Sequence, residues 1–327
     1  MTGAASQQLA IGIDIGGTNT VFGIVDPRGE IKYRGAISTN QYDDVNDYID
    51  ALYIAIKSAI DLLDNDDQVR GIGIGAPNGN YYKGTIEDAP NLKWKGIIPF
   101  TSLITAKFGL SASLTNDANA AAVGEMMYGA AKGMKDFIMI TLGTGVGSGI
   151  VANGELIYGH DGFAGELGHT IIIPNGRLHP GTNMRGSLES YASATGVRLT
   201  ALEMLSHYSQ HPSCLRDYQE EEIDSRLVYE CAVNGDKIAN EVFRFTGEIL
   251  GKALANFVMF SSPEAIILFG GLCKAGDLLS KPTIEHMEAN LLSIFQNKVK
   301  LIFSELKEAD AAILGASALV WESKKLI

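Results

Sequence analysis

Asp14 in "IGIDIGGTNTVFGIV" (residues 11–25) stands just before the glycine pair Gly16-Gly17 and a cluster of small polar side chains, Thr18, Asn19 and Thr20. Glycines let backbone N–H groups come close to a ligand, and successive N–H groups form a concavity suited to an anion. An aspartate at the mouth of a phosphate site serves Mg²⁺, directly or through water. The bend therefore reads as a holder for the phosphate end of a nucleotide, with Gly16, Gly17, Thr18 and Asn19 on the phosphates and Asp14 on the metal. An ordinary surface hairpin would also accept the two glycines. The stretch is no P-loop, because no Gly-Lys-Ser/Thr follows and the next element reads as a strand. A second stretch, "FIMITLGTGVGSGIVANGELIYG" (137–159), repeats the design with Thr141, Gly143, Thr144, Gly145, Gly147 and Gly149 at its bend. It lacks the third glycine of a dinucleotide fingerprint (Ser148 stands there) and continues as strand instead of opening a helix. Two such hairpins suggest two half-domains gripping one nucleotide.

The elements that must position these bends follow from pattern. Ile11, Ile13 and Ile15 alternate with Gly12 and Asp14, and Val21, Phe22, Ile24 and Val25 are β-branched or aromatic, so strands flank the first bend. Its glycine pair is expected at positive φ. Further strands are expected at 31–37 and 69–76, and a helix near 45–63 carries apolar residues at helical spacing. The stretch "APNGNYYKGTIEDAPNLKWKG" reads as a long functional loop. A helix, a strand near 111–115 and a helix over 118–131 follow. Strands at 136–142 and 148–152 open a second half that is later mostly helical (189–209, 236–260, 276–296). The buried-type strand "EAIILFGGL" (264–272) ends in a glycine pair, and "VKLIFSE" and a helix over 309–323 close the chain. Strand–strand–strand–helix units recurring in two halves predict a two-domain α/β architecture with a cleft between the domains.

The chain has 327 residues, 46% hydrophobic and 20% charged, and a net charge of −12, as expected of a globular two-domain chain. The acidic balance argues against nucleic acid as a partner, and the 26 Lys and Arg are scattered, with no basic run beyond a Lys pair near the end. No stretch approaches a membrane helix, and the N-terminus lacks the parts of a signal peptide, so a cytoplasmic location is expected. Cys214, Cys231 and Cys273 suggest neither a disulfide framework nor a metal motif, and Cys214 reads as a plain thiol in a polar loop.

Four stretches fall in a recognisable order, "DIGGTNT", "NDANAAAVGE", "TLGTGVGSG" and "GELGH", with "LFGGL" later. Together they resemble the ROK family of sugar kinases and sugar-responsive repressors, over essentially the whole chain. The resemblance implies an actin-like, hexokinase-type ATPase fold with an interdomain active-site cleft, divided into 1–116 plus 309–327 and 117–308. It implies an ATP- and Mg²⁺-dependent hexose kinase, foremost a glucokinase acting as a homodimer; kinases for fructose, N-acetylglucosamine or N-acetylmannosamine share that apparatus. Asp117 is the expected general base, since a helix N-terminus favours the ionised carboxylate. Asn-Asp before an alanine-rich helix is also what a plain cap looks like. Asn116 can donate and accept to sugar hydroxyls. By resemblance, Asn78, Gly79, Glu166, His169 and Glu189 contact the sugar, Gly143, Thr144 and Gly145 the phosphates, and Gly270 and Gly271 the adenosine.

The chain departs from that pattern at the family's zinc motif. Pro180, Thr182 and Ser187 stand where three zinc cysteines are expected, so no zinc is predicted and the surrounding loop must be held by packing and hydrogen bonds. A repressor is disfavoured because repressors of that family carry an N-terminal helix-turn-helix region of several tens of residues, for which a first hairpin starting at residue 11 leaves no room. A catalytically dead sugar sensor is disfavoured by the presence of Asp14, Asp117 and both hairpins.

Overall fold

The computed structural model describes residues 7–63 and 67–322, so the final residue of the helix expected over 309–323, and the Lys pair beyond it, lie outside the described residues. Strands β1 (Gln8–Ile15), β2 (Asn19–Val25) and β3 (Ile31–Ser38) form an antiparallel ladder. Helix α1 (Val45–Ile60) starts where the Asp44 side chain accepts from Asn46 N–H, and it buries Tyr48, Ile49, Leu52, Ile56 and Ala59 on one face. Strand β4 (Gln68–Gly75) then returns parallel to β1. The stretch expected to be an irregular loop instead contributes β5 (Gly79–Asn80) and β6 (Thr85–Glu87) to a small antiparallel sheet that β7 (Ile97–Ile98) completes. Helix α2 (Phe100–Phe108), β8 (Ala112–Thr115) and α3 (Asp117–Tyr128) follow. The first large sheet has the order β3-β2-β1-β4-β8.

The second large sheet repeats this plan. Strands β9 (Phe137–Leu142) and β10 (Val146–Ala152) make the antiparallel hairpin, with β11 (Glu155–Leu156) at its edge. Helices α4 (Glu189–Ala192), α5 (Ala194–His207), α6 (Ser225–Val233) and α7 (Lys237–Ser261) come next. Then β12 (Ala265–Phe269) pairs parallel to β9, α8 (Asp277–Ala289) follows, and β13 (Lys300–Phe303) pairs parallel to β12. The order is β11-β10-β9-β12-β13. The helix expected over 189–209 is broken at Ser193, whose extended backbone lets its hydroxyl accept from Gly196 N–H and donate to Glu189 O.

The described residues form two compact units, 7–63 and 67–134 with 156–165 and 305–322, and 135–155 with 166–304. The division after α3 differs from the expected one at 116/117. The reason is α9 (Glu308–Glu322), which packs on α3 nearly backbone to backbone: a Cβ added to Gly124 would lie 2.8 Å from Gly315 Cα. On its other side α9 lies against β1 and β4, where a Cβ on Gly12 or Gly73 would overlap the carbonyl oxygens of Ile313 or Ala316. The first unit's core gathers Ile11, Ile13, Phe22, Tyr48, Leu52 and Phe100, the second's Ile138, Ile140, Phe243, Leu250, Ile266 and Leu268.

The cysteine expectation is corrected. Cys214 and Cys231 form a disulfide with Cα atoms 6.3 Å apart, and Cys273 is free. The two lie 17 residues apart in sequence and meet because the helical turn Cys214–Asp217 folds back beside α6, held by Cys214 N–H to Asp236 Oδ2 at 2.7 Å. Among the described residues no helix is long and apolar enough to cross a membrane.

Candidate active site

In the first unit the parallel strands β1, β4 and β8 end side by side: Asp14 is opposite Gly75, and Gly75 opposite Thr115. Ligands of α/β sheets bind outside such carboxyl ends. Gly75 lies between the two acids: a Cβ there would press on Asp14 Oδ1 at 3.3 Å and reach Asp117 Cα at an ordinary contact distance of 3.7 Å. Burial first, then the neighbouring Asp117 charge, pushes the Asp14 carboxyl up to about 7. Asp117 is the first residue of α3 and is exposed, while protein atoms crowd around it. The crowding raises its proton affinity, and the Ala118 N–H, which donates to Oδ1 at 2.8 Å, opposes the rise. Such a pair can hold a cation on one carboxylate and take up a proton on the other.

Asn116 is the α3 cap, with Oδ1 accepting from Asn119 N–H at 2.7 Å. The capping role and the expected ligand role thus fall on neighbours, Asn116 capping by Oδ1 and Asp117 standing one residue inside. Gly79 rests on the Thr115 backbone, leaving no room for a Cβ. Asn78, exposed at φ 52°, donates its amide to Glu87 O at 3.0 Å.

The Gly16-Gly17 bend closes through Gly16 N–H to Asn19 O at 3.0 Å. Neither glycine has positive φ, contrary to expectation. Their function is closeness: a Cβ on Gly16 would lie 2.8 Å from Asn19 O, and one on Gly17 2.7 Å from Asn91 O. Thr18 and Asn19 are exposed at the tip. Behind them buried Thr20 bonds the hydroxyls of Thr39 and Tyr48, both at 2.8 Å.

In the second unit the same strand ends recur. Phe269 of β12 is opposite Thr141 of β9, and Gly270, at φ 109°, packs on Leu142 O where no side chain fits. The Gly143–Val146 turn is held from α4 and α5: Ala194 N–H donates to Gly143 O (2.8 Å), Thr195 Oγ1 to Thr144 O (2.9 Å), and Val146 N–H to Glu189 Oε2 (2.8 Å). Beyond Gly271 opens a cavity of about 470 Å³ lined by Arg226, Tyr229, Phe243, Leu272 and Lys274. Glu166 is exposed, with Oε2 3.7 Å from His169 Nε2, and His169 Nδ1 is buried with no hydrogen-bond partner among the described residues. Glu189 is almost wholly buried.

A model of the ROK family matches residues 10–323. The chain belongs to the ROK family. A glucokinase of Halalkalibacterium halodurans is 35% identical over 325 residues, covering 96% of each chain. A ROK-family glucokinase of Streptomyces griseus, solved with glucose and AMPPNP, is 31% identical with a TM-score of 0.78, over 96% of this chain and 99% of its own. A xylose repressor of Caldicellulosiruptor bescii is 29% identical over 95% of this chain and 77% of its own length. The fold is that of the ROK sugar kinases.

Two metals are implied for a ROK chain, and the donor sets separate them. Mg²⁺ in phosphoryl-transfer sites takes one or two carboxylates plus phosphate and water oxygens, not an all-protein cage. Asp14, with a charged neighbour raising its proton affinity, suits such a cation. Zinc needs four donors in a tetrahedron. Pro180 offers none, Ser187 Oγ is bonded to Ser190 Oγ at 2.8 Å, and Thr182 Oγ1 sits 3.2 Å from His179 Nδ1. The described residues contain no group of three or more His, Cys, Asp or Glu able to hold a metal, so the zinc does not fit.

Sequence reasoning missed Gly75, which reads as one more strand glycine in "GIGIG", and the α6 residues Arg226 and Tyr229. Their spacing of three places them on one helix face, but only the folded structure sets that face on the cavity beyond Gly271.

Proposed function

We propose that this ROK-family sugar kinase transfers the γ-phosphate of ATP to the 6-hydroxyl of glucose, with Asp117 as general base. The observation that carries the reading is the Asp14–Asp117 pair at the carboxyl ends of β1, β4 and β8. A base near the attacking oxygen is one requirement of phosphoryl transfer, and the others are held phosphates and offset charge. In this reading the sugar O6 bonds to the γ-phosphorus, its proton passes to an Asp117 carboxylate oxygen, and the bond from that phosphorus to the β–γ bridging oxygen breaks, releasing ADP. The raised proton affinity of Asp117 makes it a better acceptor than an ordinary aspartate. Asp14 would hold Mg²⁺, directly or through water; when bound, the metal offsets phosphate charge.

The turns Gly16–Asn19 and Gly143–Gly145 are assigned to the phosphates by their backbone N–H groups. Gly270 and Gly271, with Arg226 and Tyr229 across the 470 Å³ cavity, are assigned to the adenosine. Asn78, Gly79, Asn116, Glu166, His169 and Glu189 are assigned to sugar hydroxyls. The S. griseus relative bound to glucose and AMPPNP supports this choice of ligands.

A coupled ADP-release assay with MgATP tests the proposal against glucose, mannose, fructose, N-acetylglucosamine and N-acetylmannosamine. Glucose should turn over fastest, and Asp117→Asn should lower kcat by about 10²- to 10⁴-fold while ATP still binds. Faster turnover of an N-acetyl sugar overturns the glucose assignment and keeps the base. ATP binding without turnover of any sugar overturns the kinase reading.

A further inference from the structure

We infer that His179 is a positioning residue for nucleotide and sugar binding: it seats Glu189 under the Gly143–Val146 turn, on a loop that Arg177 anchors without zinc. The inference rests on the kinase reading given above.

Residues 170–188 connect the helical turn Leu167–His169 to α4. Isolated bridges pair Ile171 with Ser187 and Leu178 with Arg185, and Gly186 N–H donates to Arg177 O at 2.9 Å. These bonds make the loop a narrow hairpin. Its anchor is Arg177, whose side chain is only 8% exposed. The guanidinium donates to Ser190 O (2.6 Å), Gly196 O (3.1 Å) and Thr200 Oγ1 (3.0 Å), and pairs with Glu203. It also lies over the Tyr191 ring, 4.6 Å from the centroid, and the Tyr191 hydroxyl accepts from Arg177 N–H at 2.7 Å. Planar guanidinium donors fixed on several acceptors supply the kind of multi-point restraint that a metal would supply.

The anchored loop delivers His179, which is nearly buried. Its Nε2 lies 3.2 Å from Glu189 Oε1, and its Nδ1 lies 3.2 Å from Thr182 Oγ1. The other Glu189 oxygen accepts Val146 N–H. Gly145 has no room for a Cβ because the Glu189 carboxylate fills that space. A chain of contacts therefore runs Thr182–His179–Glu189–Val146 and ends on the turn assigned to phosphate. Each carboxylate oxygen accepts more than one hydrogen bond, so Glu189 can hold the turn and still take a sugar hydroxyl.

The test measures binding and turnover side by side. AMPPNP affinity is read by calorimetry, and KM and kcat come from the coupled assay, for wild type, His179→Ala, His179→Gln and Thr182→Val. His179→Ala should weaken AMPPNP binding and raise KM for ATP about tenfold, the loss of one hydrogen bond to a charged group, with kcat changed less. His179→Gln, whose amide can still donate to Glu189, should recover most of that loss. Thr182→Val, at an exposed position, keeps the test alive if His179→Ala does not fold, and it should shift KM in the same direction. A lowered Tm with unchanged affinity and KM, or no recovery by Gln, overturns the inference. So does stoichiometric zinc in the purified protein together with loss of activity on adding a zinc chelator. A wild type that binds no AMPPNP overturns the kinase reading itself, whereas equal binding by wild type and variants overturns only the role of His179.

Discussion

Replacing Asp14 by Asn should stabilise the nucleotide-free protein, and more so as pH rises. The Asp14 carboxyl is held at about 7 in the fold against an ordinary value of 3.8, chiefly by burial and next by the Asp117 charge. Because the folded-state value is the higher one, the folded protein keeps this proton longer than the unfolded chain. The stability it contributes is complete below pH 3.8 and is lost as pH rises to about 7. The difference of roughly 3 units corresponds to about 4 kcal/mol lost by pH 8, and about 2 kcal/mol is already lost at pH 5.5. Asparagine is nearly isosteric and does not ionise, so the gap between Asp14→Asn and wild type should widen by about 2 kcal/mol between pH 5.5 and 8. Urea unfolding at the two pH values, without nucleotide or Mg²⁺, reads this directly. Asp117→Asn is the companion, since removing the second cause should lower the Asp14 value and flatten the wild-type slope. A gap that stays the same at both pH values would refute the reasoning, showing that Asp14 does not carry a raised proton affinity in the fold. The same variant should lose catalysis, because its gain in stability comes from removing the carboxylate assigned to the metal.

Two glycines separate packing from function. Gly73→Ala would drive a methyl group into the Ala316 carbonyl oxygen, a backbone atom of α9, and should cost about 3 kcal/mol or more in denaturant unfolding. Gly143→Ala meets nothing within 4 Å and should leave the unfolding midpoint unchanged; under the proposed assignment of this turn to phosphate, the new methyl group should also raise KM for ATP. Replacing Cys214 and Cys231 together by Ser opens a loop of 17 residues and should lower the unfolding free energy by about 3 kcal/mol. Dithiothreitol should shift wild type toward the variant and leave the variant alone.

Much of the architecture was legible because it is written in local periodicity. The alternation at Ile11, Ile13 and Ile15 and the helical spacing of Ile49, Leu52 and Ile56 each reflect which side chains a local element buries, so strands and α1 fell close to their observed places. Boundaries drifted where tertiary contacts intervene. Ser193 interrupts the long helix because its hydroxyl bonds both Glu189 O and Gly196 N–H, an arrangement that depends on α4 lying where it does. The division of the chain after α3 arises from glycine-to-glycine packing with α9, nearly 200 residues further on, which no window of sequence can reveal.

The site divides in the same way. The sequence alone determined that two glycine-rich bends follow apolar strands, that Asp14 and Asp117 stand at element ends, and that the zinc cysteines are missing, since all of these are matters of residue type and order. Only the tertiary structure decided that Gly75 lies between Asp14 and Asp117, that Gly16 and Gly17 are needed for close approach and not for positive φ, and that Cys214 meets Cys231. It alone linked His179 through Glu189 to the second bend. The physical reason is range. Patterns report what a residue does to its neighbours in the chain, whereas proton affinity, close packing and hydrogen-bonded support depend on atoms that distant segments bring within a few ångströms.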